Sequence, residues 1–114
     1  MARGVDEFMI NLSCEELYAL LSTKFETAET DWTGHTSVPK PPYVLYLERK
    51  PSKVKADNKR YYTENRYKLE LYRVKTDYDS EPMLEKLLDD KDIFWDKERI
   101  WNRELNLYQV NYEI

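Results

Sequence analysis

The stretch ADNKRYYTENRYKLELY, residues 56–72, decides how this chain folds. In its second half Tyr67, Leu69 and Leu71 alternate with Glu64, Arg66, Lys68 and Glu70. A period of two puts the first set on one side of an extended chain and the second on the other, as in a sheet with one buried and one wet face. The spacing predicts a long strand from Arg60 to Lys75. Its tyrosines divide: Tyr67 joins the apolar face, Tyr62 and Tyr72 lie on the opposite face, and Tyr61 stands where the strand begins.

Working outward, YVLYLER (43–49) is a β-rich run between prolines, with Val44, Tyr46 and Glu48 facing one way and Tyr43, Leu45 and Leu47 the other. ELNLYQVNYEI (104–114) alternates Tyr108, Val110, Tyr112 and Ile114 against Gln109, Asn111 and Glu113, and IFW (93–95) also has strand character. Two helices complete the pattern. Ser13 and Glu16 form a capping box, with Leu12 and Leu17 at the staple positions, ahead of a helix over 14–25 whose Leu17, Leu20, Leu21 and Phe25 share one stripe. Ser80 caps a second helix over 80–92, with Pro82 in its first turn and Met83, Leu84, Leu87 and Leu88 at helical spacing. The expected fold class is α+β: a single domain over 1–114, a mainly antiparallel sheet backed by two helices, in the order α-β-β-α-β-β. Residues 1–12 form an N-terminal extension, 26–40 a long loop interrupted by Pro39, and 50–59 a basic loop.

With 114 residues there is room for one core. Hydrophobic residues make up 41% and charged residues 35%, enough apolar material to fold but a thin core, and small thin-cored domains often complete their stability in an oligomer. A net charge of −4 supplies no global attraction to nucleic acid, so any such contact has to be local. Cys14 is the lone cysteine and fits a reducing compartment. No apolar run approaches the roughly 20 residues needed to span a bilayer, and MARGVDEFMINL lacks a signal-peptide core. The expectation is a protein made in the cytoplasm, with no membrane partner.

Catalysis finds little support in the residues. His35, the single histidine, sits in a Gly/Thr/Ser loop without a matching nucleophile motif, and Cys14 reads as a half-buried structural thiol at a first helical turn. Only Gly4 and Gly34 are glycines, too few for a phosphate cradle, and no Cys/His cluster suggests a metal. Asp89, Asp90 and Asp92 read as a solvated helix end rather than a cation site. No enzyme activity, cofactor or metal is expected.

Charge is more informative. Residues 49–60 carry Arg49, Lys50, Lys53, Lys55, Lys59 and Arg60 against Asp57 alone, whereas 77–98 carry nine acids against three lysines. Three readings stay open: a nucleic-acid contact helped by Tyr61 and Tyr62, a basic loop on one subunit meeting the acidic segment of the next, or two separately solvated surfaces.

The order PPYVLY, KADNKRYY, NRYKLELY, then a short acidic helix ending in DIFW and a closing YQVNYEI, resembles the small tail-completion or tail-terminator proteins of long-tailed phages and prophages of Gram-positive bacteria. The likeness covers residues 13–114. It implies an α+β subunit assembled as a ring, commonly a hexamer, that ends the tail tube and joins it to the head-side connector. The implied partners are the chain itself, the tail tube protein, the connector protein and DNA passing through the lumen; the implied location is the head-proximal end of the virion tail. Head-tail adaptor proteins of similar fold are the near alternative, and a monomeric nucleic-acid-binding module using the basic loop is the alternative from another class. On the ring reading, the interface to neighbour or tube is drawn from Arg49, Lys50, Lys53, Lys55, Lys59, Arg60, Tyr62 and Tyr72 on one side and Asp89, Asp90 and Asp92 on the other.

Overall fold

Ser13 starts the first helix as the sequence spacing requires. Its hydroxyl accepts a hydrogen bond from the Glu16 N–H at 3.1 Å, and the Glu16 carboxylate accepts one from the Ser13 N–H at 2.9 Å. In this computed structural model the residues described are 12–55 and 61–114, with side chains left aside at 52–55 and 61–63. Helix α1 runs Cys14–Ser22, shorter than the expected 14–25. Thr23 ends it by donating its hydroxyl back to the Leu20 carbonyl at 2.7 Å, and Phe25 enters the core from just beyond the helix.

Five strands follow: β1 (Glu26–Glu29), β2 (Tyr43–Lys55), β3 (Tyr61–Arg73), β4 (Asp96–Asn102) and β5 (Leu107–Glu113), with helix α2 (Ser80–Asp89) between β3 and β4. They form one sheet in the order β1-β2-β3-β5-β4, antiparallel except for the β1–β2 pair. Both helices lie on one face. There Leu17 and Leu21 of α1 and Leu84 and Leu88 of α2 pack on Val44, Leu69, Leu71, Val110 and Tyr112, all fully buried. The predicted face of Tyr67, Leu69 and Leu71 is therefore the core face. The assembled structure is a single α+β domain, a five-stranded, mostly antiparallel sheet with two helices.

Several expectations need correction. The segment 26–40 is not all loop: Glu26–Glu29 forms β1, whose Thr27 pairs with Val44 of the core face and whose Ala28 pairs with Leu45 of the outer face. IFW is not a strand; Ile93 and Trp95 pack on the core while Phe94 is 96% exposed, and the strand begins at Asp96 instead. The last strand starts at Leu107, because 103–106 forms the turn from β4. In α2 the N-cap is Asp79 and not Ser80; the Asp77 carboxylate accepts from the N–H groups of Asp79 and Ser80 and from the Ser80 hydroxyl. That helix stops at Asp89, and Met83 faces solvent. The basic segment 50–59, expected as a loop, is strand through Lys55; 56–60 and the expected extension at 1–11 lie outside the described residues.

The second sheet face is also only partly wet. Ala28, Tyr43, Leu45, Tyr72 and Leu107 form a small buried cluster there, and Trp32 from the 30–42 loop packs over it. Tyr43 and Tyr72 stack at 5.0 Å between ring centroids, and Trp32 meets Tyr43 edge-on at 5.5 Å. This is what the long loop does structurally: it roofs the apolar end of the outer face.

Candidate functional site

Among the described residues, the outer half of the β2–β3 hairpin runs on beyond the strands that flank its inner half. β1 pairs with β2 only as far as Tyr46, and the Thr30 N–H adds one last bond to the Tyr46 carbonyl at 2.9 Å. On the other side β5 pairs with β3 as far as Lys68, with Tyr67 and Ile114 exchanging backbone bonds of 3.1 and 3.0 Å just beyond. Past these points, among the described residues, β2 and β3 pair with each other alone, through Arg49↔Arg66, Ser52↔Glu64, Lys53↔Thr63, Val54↔Tyr62 and Lys55↔Tyr61. Thirteen extended residues reach about 43 Å, and the molecule measures 51 Å along its long axis against 28 and 23 Å across. The hairpin is an arm.

Local sequence explains how the arm leaves the sheet. A register shift between Arg49 and Ser52 marks a β-bulge, and Pro51 lies within it. Proline lacks the N–H for a ladder bond and is tolerated at bulges such as this one. The arm is basic by sequence: Arg49, Lys50, Lys53 and Lys55 lie on β2. Arg49 stands directly across from Arg66, and both reach the end of β5: the Arg66 Nε donates to the Ile114 carbonyl at 3.0 Å, and Arg49 lies 4.0 Å from Glu113. Isolated two-stranded hairpins are marginal in water.

The expected interface residues fall into three groups. Lys50 is exposed on the arm, and Arg49 is half-buried, 4.0 Å from Glu113 with its Nη1 buried and without a hydrogen-bond partner. Lys53, Lys55, Lys59, Arg60 and Tyr62 lie outside the described side chains. Tyr72 is buried in its own chain, stacked on Tyr43 and donating its hydroxyl to Glu70 at 2.9 Å, which leaves little of its ring for a neighbour. On the acidic side, Asp89 accepts from the Trp95 indole at 2.8 Å, Asp90 pairs with Lys86 four residues back, and Asp92 is exposed beyond the helix. Lys91, Asp92 and Phe94 face Glu64, Asn65 and Arg66 across a cleft of about 480 Å³, so the acidic helix end lies beside the root of the arm in the same chain.

Much of the acidic segment is neutralised internally, in a network that sequence spacing did not reveal. Glu81, 5% exposed, accepts from Arg73 Nε at 2.7 Å, from Lys97 Nζ at 2.9 Å and from Arg99 Nε and Nη2 at 2.9 and 2.8 Å. Glu85 accepts from Lys97 at 2.7 Å and from the Tyr112 hydroxyl at 2.8 Å. Burial pushes the Glu81 carboxyl up, but the hydrogen bonds from Arg99, Lys97 and Arg73 outweigh it and hold its pKa down at about 2. The guanidinium of Arg73 also lies 4.7 Å from the Tyr108 ring centre. This network clamps α2 onto β3 and β4. Its signal was present in the sequence as Glu81 and Glu85 at helical spacing and Lys97 and Arg99 at strand spacing.

Among the described residues, the ligand atoms of Cys14, Glu29 and Glu48 lie within 4.8 Å of one another, a thiol and two carboxylates drawn from three different elements. Desolvation pushes the Cys14 thiol up, with Tyr67 opposing and Glu48 and Glu29 adding to the rise, so the resting sulfur is protonated and poorly disposed to ligate. His35 stands edge-on to Trp32 at 5.0 Å in the roof of the second cluster, away from Cys14's end of the core. No helix among the described residues is long and apolar enough to cross a membrane. Compared with family models, with curated proteins and with solved structures, the chain finds no match in any of the three.

Proposed function

We propose that the chain is a structural, non-catalytic ring component of a long-tailed phage or prophage tail, which ends the tail tube and joins it to the head-side connector. The reading rests on the family resemblance in the sequence, and the structural observation that supports it is the basic arm. A basic ribbon that runs on past β1 and β5, its sheet neighbours among the described residues, is suited to reaching a neighbouring subunit or the tube. In such a ring the arm of one subunit meets an acidic surface of the next, a head-to-tail contact that closes cyclically. The place of action is then the head-proximal end of the virion tail, after synthesis in the bacterial host cytoplasm.

The test combines assembly and phenotype. Purified protein, alone and mixed with its tail tube protein, is imaged by negative-stain electron microscopy, and tail lengths are measured in a phage lacking it. Rings on tube ends, with tube lengths that lose their sharp distribution when the protein is absent, are the expected result. A protein that never forms or caps a ring, and whose loss leaves tails of normal length, overturns the proposal. One observation favours a second reading: a two-stranded basic ribbon has the width to enter a DNA major groove. Salt-dependent duplex binding by a protein that stays monomeric beside the tube is its signature.

A further inference from the structure

Strand β4 is the edge of the sheet opposite β1, and no strand among the described residues pairs with its outer side. Every other backbone N–H and C=O along such an edge points outward, unpaired, and is a template for another strand. Natural edges are commonly blunted by charged side chains that project past them. Here the two cations that would do so are drawn inward: Lys97 is held by Glu81 and Glu85 at 2.9 and 2.7 Å, and Arg99 is bound to Glu81 in a bidentate pair. What remains at the C-terminal half of the edge is apolar. Ile100 is 41% and Trp101 39% exposed on opposite faces of the strand, and Trp101 is held in place edge-on to Tyr108 at 4.8 Å.

The side-chain pattern identifies the partner. In an antiparallel pair, opposed residues share a face, so a strand that meets its own copy about a twofold axis must place one residue opposite itself. An axis through Glu98 sets two carboxylates together and Asp96 on Ile100; one through Arg99 sets two guanidinium groups together. An axis through Ile100 puts Ile100 on Ile100, each Arg99 beside the partner's Trp101 ring, and each Glu98 opposite an Asn102. That register alone of the three has no like-charge pair, and it adds two cation–π contacts to an apolar centre. We propose that β4 is a self-pairing edge: two copies of the chain join β4 to β4, antiparallel about a twofold axis at Ile100, into one sheet carrying the helices of both copies on the same side. This contact is isologous and does not rest on the ring reading, which uses two different patches.

The test is register-specific cross-linking in the full chain with Cys14→Ser. Ile100→Cys alone is expected to give a disulfide dimer under mild oxidation. Glu98→Cys and Asn102→Cys are each expected to form no disulfide alone and to cross-link when mixed. As a second measure, Ile100→Lys places like charges on the axis and is expected to weaken dimerisation at least tenfold by analytical ultracentrifugation, with an unchanged circular dichroism spectrum showing that it folds. A chain that is monomeric at millimolar concentration, or one that cross-links equally at 98, 100 and 102, overturns the proposal.

Discussion

The two halves of the β2–β3 hairpin share strands and differ in fate. In the inner half, Val44, Leu69 and Leu71 are fully buried between the helices and the sheet, with β1 and β5 completing the ladder on either side. In the outer half, the neighbours stop, Lys50 and Pro51 are exposed, and Arg49 opposes Arg66. The switch happens within about one pleat, where apolar alternation gives way to basic and polar residues. Burial of apolar area carries the inner half, while the outer half is held by polar contacts, its ladder hydrogen bonds and bonds such as those from Asn65 to the Leu12 carbonyl and from Arg66 to the Ile114 carbonyl, each worth about 0.5–1.5 kcal/mol net. The difference teaches that one pair of strands can be core at one end and reach at the other, with charge composition setting the boundary.

That contrast predicts unequal costs of mutation. The largest belongs to the clamp at the inner end of β3. Glu81→Gln leaves Arg73, Lys97 and Arg99 with a neutral partner, and breaking a buried ion pair on one side typically costs about 3–5 kcal/mol. Denaturant unfolding is expected to show that loss. Next comes Leu69→Ala in the fully buried inner half, expected to lose about 2–5 kcal/mol, the range for truncating a core leucine. A loss under about 0.5 kcal/mol would mean that the site does not behave as core.

Acid sharpens the same comparison. The Glu81 carboxyl is held at about 2 against a usual value of 4.5, so the stability it contributes is fully present above pH 4.5 and is lost as pH falls toward 2. Thermal melts between pH 5 and 2 are expected to show a steeper decline for the parent than for Glu81→Gln, which has no carboxyl to protonate at that position. Parallel declines would remove Glu81 from the acid response.

How much of this was legible depends on which force shaped each element. The α1 start was readable because Ser13 and Glu16 bond locally, and the core face of β3 because Tyr67, Leu69 and Leu71 alternate with charges. Strand β4 was missed because its inward positions are Lys97 and Arg99, satisfied by Glu81 and Glu85 of a helix, so its period of two is written in charge and not in hydropathy. β1 was missed because four residues with glutamates at both ends carry no alternation, and its parallel pairing to β2 is set by tertiary contact. Of the candidate site, the basic composition was plain but its extended form was not. Pro51 reads as a break, and the bulge between Arg49 and Ser52 lets the strand continue through it. Tyr72 was placed on the correct side of its strand, yet nothing local announced that Tyr43 and Trp32 would enclose that end of the outer face.

The smallest expected effect on stability carries the most functional weight. Reversing Lys50, Lys53 and Lys55 to Glu touches only the outer half, where surface substitutions usually fall within about 0.5 kcal/mol, so unfolding should hardly move. Single exposed ion pairs contribute only about 0–1 kcal/mol, and for that reason the three are changed together. If the arm meets an acidic surface on a neighbour, this variant should fold as the parent does and fail to assemble, with the defect greatest at low salt, where screening is weakest. Reversing acids on the other side should then restore assembly in part. The choice of acids follows from the structure: Asp89 is kept because it holds Trp95, while Asp90, which has only its exposed pairing with Lys86, and the exposed Asp92 are changed to Lys. Rescue by that double reversal assigns the contact to these two surfaces, since opposite signs return only where the two clusters face each other. If the arm variant assembles normally, the arm serves the tube or DNA instead. If it unfolds by more than about 1 kcal/mol, the outer half is part of the core after all and the contrast between the two halves of the hairpin fails.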